Sequence, residues 1–77
     1  MEVEKAFGIV LRKHRNKQGY SQENLALLCG LDRTFIGLLE RGQRRPTINT
    51  IFSLSKELNI TASALIKEVE ENLRKTE

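Results

Sequence analysis

The chain has 77 residues, 39% hydrophobic and 30% charged, with a net charge of +3 and a single cysteine, Cys29. A chain of this size makes one domain that buries only about 60% of its unfolded surface, and its composition excludes disorder and a disulfide scaffold. No apolar run nears the roughly 18 residues of a membrane span, and the acidic start MEVEKAFG lacks the basic and apolar regions of a signal peptide, so a cytosolic protein is expected.

Val3, Phe7, Val10 and Leu11 recur at spacings of three and four, with His14 as a further candidate for the same stripe. This is the pattern of an amphipathic helix, which should stop near Gly19. Ser21 is placed to cap a second helix containing Leu25, Ala26, Leu28 and Cys29 and ending at Gly30. Asp32 is placed to cap a third, with Ile36 and Leu39 inside and Gly42 at its end. The stretch QRRPT reads as a loop, because Pro46 disfavours helix just before it, and Thr47 is available as the next cap. Ile48, Ile51, Leu54, Ser55 and Leu58 predict a fourth helix. Thr61 or Ser63 starts a fifth, with Leu65, Ile66, Val69 and Leu73 along one side, and residues from Arg74 on are expected to fray. No segment alternates with period two for long, so strands are not expected. The fold class is therefore all-α, a compact bundle of five helices forming one domain over residues 1–77.

The charge is unevenly spread. Residues 1–20 carry five bases against two acids, and residues 41–50 carry three bases and no acid, whereas residues 51–77 carry four bases against five acids. A polyanion-binding protein working by bulk charge would be basic throughout; two basic blocks suggest one side facing an anion.

Residues Gln22 to Arg41 form a unit of helix, tight turn and helix. Ala26 sits where two helices cross closely, Gly30 where the turn needs a left-handed residue, and Leu25, Cys29, Leu31, Ile36 and Leu39 at spacings that share a core. These are the requirements of a helix-turn-helix, whose second helix enters the DNA major groove. On a wheel at 100° per residue, Ile36 and Leu39 face inward with Phe35 on their flank. Arg33, Thr34, Gly37, Leu38 and Arg41 occupy the opposite arc. Arg33 has the fork for guanine O6 and N7, Thr34 can meet a base edge or phosphate, and Leu38 a thymine methyl. Gly37 is read as making room for the groove wall.

The stretch GYSQENLALLCGLDRTFIGLLERGQRRPT resembles the helix-turn-helix of the Xre/Cro family, and LDRTFI looks most like the controller proteins of restriction–modification systems. The resemblance implies a lambda-repressor-like fold and a transcriptional regulator. It further implies base contacts from Arg33, Thr34 and Phe35, to which the wheel adds Leu38, and phosphate contacts from Gln22, Gln43, Arg44, Arg45, Thr47 and Asn49, with Ser21 and Arg41 as further candidates for phosphate. The loop placement has independent support, since helix N-termini bind anions and the bases stand just before one. An ion pair between Arg15 and Glu40 is implied as a brace. Family members pair through their last helices, and Ile48, Ile51, Phe52, Leu65, Ile66 and Val69 exceed what one small core needs, which fits a dimer patch. The partners implied are double-stranded DNA with a palindromic site and a second copy, with RNA polymerase as a further candidate, in a bacterial or phage setting.

His14 has no cysteine or second histidine nearby, so no metal is expected, and Cys29 reads as a small buried apolar residue. No phosphate loop or nucleophile–base set is present, so neither a cofactor nor enzymatic activity is expected. The alternatives are a phage-repressor-like or antitoxin-type regulator, or a helical module that binds another protein. Such a module has no need of Arg33, Thr34 or the basic loop.

Overall fold

The computed structural model describes residues 1–75, which form five helices: α1 (Val3–Lys17), α2 (Gln22–Cys29), α3 (Arg33–Glu40), α4 (Ile48–Glu57) and α5 (Ala62–Lys75). No strand occurs among the described residues, and no helix among them is long and apolar enough to cross a membrane. The bundle is all-α, as the periodicity predicts.

Four hydroxyl or carboxylate side chains start four of the helices. Ser21 Oγ accepts from the Asn24 N–H at 3.0 Å, Asp32 Oδ1 from Thr34 at 3.2 Å, Thr47 Oγ1 from Thr50 at 3.1 Å and Thr61 Oγ1 from Ala64 at 3.1 Å. Each satisfies an amide that the helix itself leaves unpaired. Of the two candidates for the last cap, Thr61 takes the role. The helix ends repeat one device, a left-handed residue followed by an amide that reaches back five residues. The bonds run from Tyr20 to Arg15, Leu31 to Ala26, Gln43 to Leu38 and Ile60 to Ser55, at 2.8–3.1 Å. Glycine fills the left-handed position three times, but after α4 it is Asn59, at φ 58°, a stop that the sequence reading passed over.

Helix α1 packs on α3 and α5, α2 on α3 and α4, and α4 on α5. The shared interior holds Phe7, Val10 and Leu11 from α1, Leu25 and Ala26 from α2, Ile36 and Leu39 from α3, Leu54 and Leu58 around α4, and Leu65 and Val69 from α5. Each such large side chain contributes about 1.5–3 kcal/mol on burial. The tightest approach is at Gly8, where a Cβ would lie 2.5 Å from the Glu40 carbonyl oxygen and 2.6 Å from that of Leu39. The backbone of α1 thus lies directly on the last turn of α3, and a side chain at Gly8 would force them apart.

The apolar pattern needs correction in places. Val3 is exposed, because α1 begins beyond the end of the core, and Leu28 is exposed beside Leu27. Cys29 and Leu31 are half-buried at the rim of the core. Leu65 and Val69, expected in a dimer patch, are buried inside this chain, since they are the residues that seat α5 in the bundle. Ile66 remains outside with Ile48 and Phe52. Helix α5 continues through Arg74 and Lys75, where fraying was expected, and the rest of that stretch lies outside the described residues.

Candidate nucleic-acid interface

Three elements converge on one carboxylate. Arg15 of α1 donates from Nε to Glu40 Oε2 at 2.5 Å and from Nη2 to Glu40 Oε1 at 3.0 Å, and from Nη1 to the Tyr20 carbonyl at 2.8 Å. Gln22 of α2 donates from Nε2 to Glu40 Oε1 at 3.0 Å. The Arg15 and Glu40 side chains are only 11% and 4% exposed, so this two-point fork is shielded from water and fixes the end of α3 against α1 and α2. With Ile36 and Leu39 in the core and Asp32 at the cap, α3 is held along its inner face and at both ends.

What α3 leaves outward is polar. Gln22, Arg33, Thr34, Gly37 and Arg41 line a cleft of about 220 Å³ between the first turn of α2 and the length of α3. Candidate base readers and candidate phosphate contacts therefore share one concavity, with two guanidinium groups at its wall. One Gln22 amide hydrogen is used by Glu40, and the second remains for a ligand. Gln43 joins this group by accepting from Arg41 Nε at 3.3 Å.

The other candidates are placed differently. Phe35 is half-buried and packs against the core, and Leu38 is half-buried where the wheel puts it in solvent. Gly37, also placed outward by the wheel, is buried, because the ends of the Gln22 and Arg41 side chains close over it. Gln43, Arg44 and Arg45 line a second cleft, of about 410 Å³, opposite Glu2 and Glu4. There Arg45 Nε donates to Glu4 Oε2 at 2.9 Å, while Arg44 stays exposed. The Glu4 carboxyl sits below its ordinary 4.5, held down by a backbone hydrogen bond and then by Arg45. Ser21 and Thr47 use their hydroxyl oxygens as caps, and Thr47 and Asn49 open α4 outside both clefts.

A polar contact that sequence reasoning did not find joins α1 to α5. His14 is buried with Nε2 at 3.0 Å from each Glu68 oxygen, and Lys13 Nζ donates to Glu68 Oε1 at 2.5 Å. The available signal was a histidine on an apolar stripe, which must find a partner when buried. The Lys13 hydrogen bond lowers the Glu68 pKa, with His14 contributing less. Burial pushes the Cys29 thiol up, with Glu57 adding to it, which makes that thiol a poor nucleophile at neutral pH. Among the described residues, no cluster of three or more His, Cys, Asp or Glu could hold a metal.

Beyond the cleft, an apolar hollow of about 330 Å³ opens between α1, α4 and α5, with Val3, Phe7, Pro46, Ile51 and Ile66 in its lining. Also outward on α4 are Ile48, 70% exposed, and Phe52, 61% exposed.

Residues 11–65 match the family model described as helix-turn-helix. The chain is 38% identical over 66 residues to control protein C.SmaI of Serratia marcescens, covering 86% of this chain and 79% of that protein. Its structure is similar to that of the restriction-modification controller protein C.AhdI from Aeromonas hydrophila, with a TM-score of 0.78 at 44% identity over 80% of this chain and 94% of that one. The fold is also that of the clp gene regulator ClgR from Corynebacterium glutamicum, with a TM-score of 0.94 at 20% identity over 99% of this chain and 81% of that one. With its braced pair of short helices and this matched span, the chain belongs to the helix-turn-helix family, of the Xre/Cro type.

Proposed function

We propose that the chain is a sequence-specific, DNA-binding transcriptional regulator of the restriction–modification controller kind, acting as a homodimer on a palindromic site. The observation that carries this reading is the outer face of α3: Arg33, Thr34 and Arg41 stand with Gln22 around one cleft, on a helix whose other side is locked. In the proposed complex α3 lies in the major groove, Arg33 reads a guanine edge and Thr34 a neighbouring base. Arg41, Gln22, Arg44 and the start of α4 hold backbone phosphates. Arg45 shares its charge with Glu4 through Nε, so Arg44, which has no such acid among the described residues, carries more of the loop's contact. Phe35 packs on the core with one side, and it and the half-buried Leu38 touch the groove with what remains exposed.

The second copy covers Ile48, Phe52, Ile66 and the hollow beside Ile51. Large apolar side chains grouped on α4 and α5 support this reading. The proposed compartment is the cytoplasm, and RNA polymerase is the further partner the reading names.

Selection of bound duplexes from a randomised pool, repeated at two salt concentrations, tests the proposal. An inverted repeat whose binding weakens with salt is expected, each phosphate contact contributing about 0.9 to the logarithmic salt slope. Recovery of unselected DNA, or of none, overturns the proposal and favours a protein-interaction module.

A further inference from the structure

We propose that Gly37 is a positioning residue for DNA binding, acting through Arg41 rather than through its own lack of a side chain at the groove wall. This rests on the regulator reading above. A Cβ at Gly37 would lie 3.2 Å from Arg41 Nη1, 3.7 Å from Arg41 Nη2 and 3.5 Å from Gln22 Oε1. The space a side chain would take is therefore filled from within the protein, by the guanidinium of Arg41 lying over bare backbone.

The Arg41 Nε donates to Gln43, and the Gln22 side chain, which closes over the same backbone, is tied by Nε2 to Glu40, itself gripped by Arg15. Arg41 is otherwise exposed, so without Gly37 a long side chain would sample many rotamers. Seated over Gly37, its fork lies in the same cleft as Arg33 and Thr34. A charge fixed beforehand loses less freedom when it meets a phosphate than one that must be ordered on binding. The geometry thus assigns two arginines two tasks: Arg33 reads sequence, and Arg41, seated on Gly37, takes a backbone phosphate at the cleft.

The contrast with Gly8 sets the test. There a Cβ meets backbone carbonyls, so substitution damages the fold. At Gly37 it meets only the ends of flexible side chains, and alanine is a better helix former than glycine. Gly37→Ala should fold with an unchanged or higher Tm. Binding would be measured for the full wild-type chain, G37A, R41A and the double variant. The probes are the duplex recovered by selection and a scrambled duplex of equal length, each over a salt series. G37A and R41A are each expected to weaken both duplexes roughly tenfold, as loss of one charge-assisted hydrogen bond does, and to lower the salt slope by about 1. The double variant should bind no more weakly than R41A alone.

G37A binding as tightly as wild type overturns the inference. So does a G37A effect that persists undiminished in the R41A background, which would mean that the new methyl meets DNA directly. A wild-type chain that binds no duplex overturns the regulator reading itself, an outcome distinct from either of these.

Discussion

The two ends of the bundle expose opposite kinds of surface from the same architecture. At α2 and α3 the outward residues are Gln22, Arg33, Thr34 and Arg41, and a carboxylate with little exposure ties three helices together behind them. At α4 and α5 the outward residues include Ile48, Phe52 and Ile66, and the polar tie that joins α5 to α1, Glu68 with His14 and Lys13, lies nearer the surface. A polar reading face cannot be stabilised by what it touches in free solution, so its geometry must be locked from inside. An apolar face that a second copy covers, as proposed for α4 and α5, is completed by that copy and needs less bracing. This difference predicts where substitutions unfold the chain and where they only change what it binds.

Removing the lock should have the largest effect. Glu40→Ala strands the Arg15 guanidinium with the Tyr20 carbonyl and frees Gln22, and loss of one member of a buried pair costs about 3–5 kcal/mol. Denaturant unfolding of the variant measures it directly. A loss under about 1 kcal/mol would place the pair among ordinary surface bridges and erase the contrast between the two ends.

The apolar end should respond in association instead. Ile48→Lys with Phe52→Lys places two cations on a face proposed to meet its own copy, and removal of such anchors costs about 2 kcal/mol or more, some thirtyfold or more in Kd. Sedimentation would follow the dimer and circular dichroism the helices. Dissociation with helices kept is the expected result; an unchanged dimer would move the interface elsewhere.

How much of this was legible beforehand depends on the kind of interaction. Caps at Ser21, Asp32 and Thr47, and stops at Gly19, Gly30 and Gly42, are local rules that act within a few residues; together with the apolar spacing they let the five helices be read, though not the stop at Asn59. Burial is not local. Leu65, Ile66 and Val69 look alike along the chain, and only the docking of α5 on α1 turns two of them inward. The wheel exposed Gly37 because it knows nothing of the long Arg41 and Gln22 side chains folding back. Gly8 and Glu68 act across contacts between helices far apart in sequence, which no single-helix pattern encodes.

A change on the proposed DNA-reading face should be smaller in stability and visible only in recognition. Arg33 is exposed, away from the core, so Arg33→Ala is expected to leave unfolding within about 0.5 kcal/mol. It should reduce discrimination at one base pair of each half-site by about 1–3 kcal/mol. Repeating the duplex selection with the variant would locate that position. Uniform weakening with base preference intact would instead make Arg33 a phosphate contact.

The tie between α5 and α1 supplies the smallest effect, and pH isolates it. The Glu68 carboxyl is lowered from its ordinary 4.5, first by the Lys13 hydrogen bond and then by His14. A carboxyl whose pKa is lower folded than unfolded stabilises the fold fully above the unfolded value, and the contribution is lost as pH falls through the folded value. Glu68→Gln keeps the shape but has no such titration. At neutral pH the variant should be less stable by on the order of 1 kcal/mol, as befits a partly exposed pair. As pH falls from 4.5 through the lowered folded value the two chains should converge, because the wild type gives up what the variant never had. Glu4 remains in both proteins, so its titration cancels in the difference. A gap that stays constant down the acid limb would mean that Glu68 contributes packing alone and that α5 is held to α1 by Leu65 and Val69.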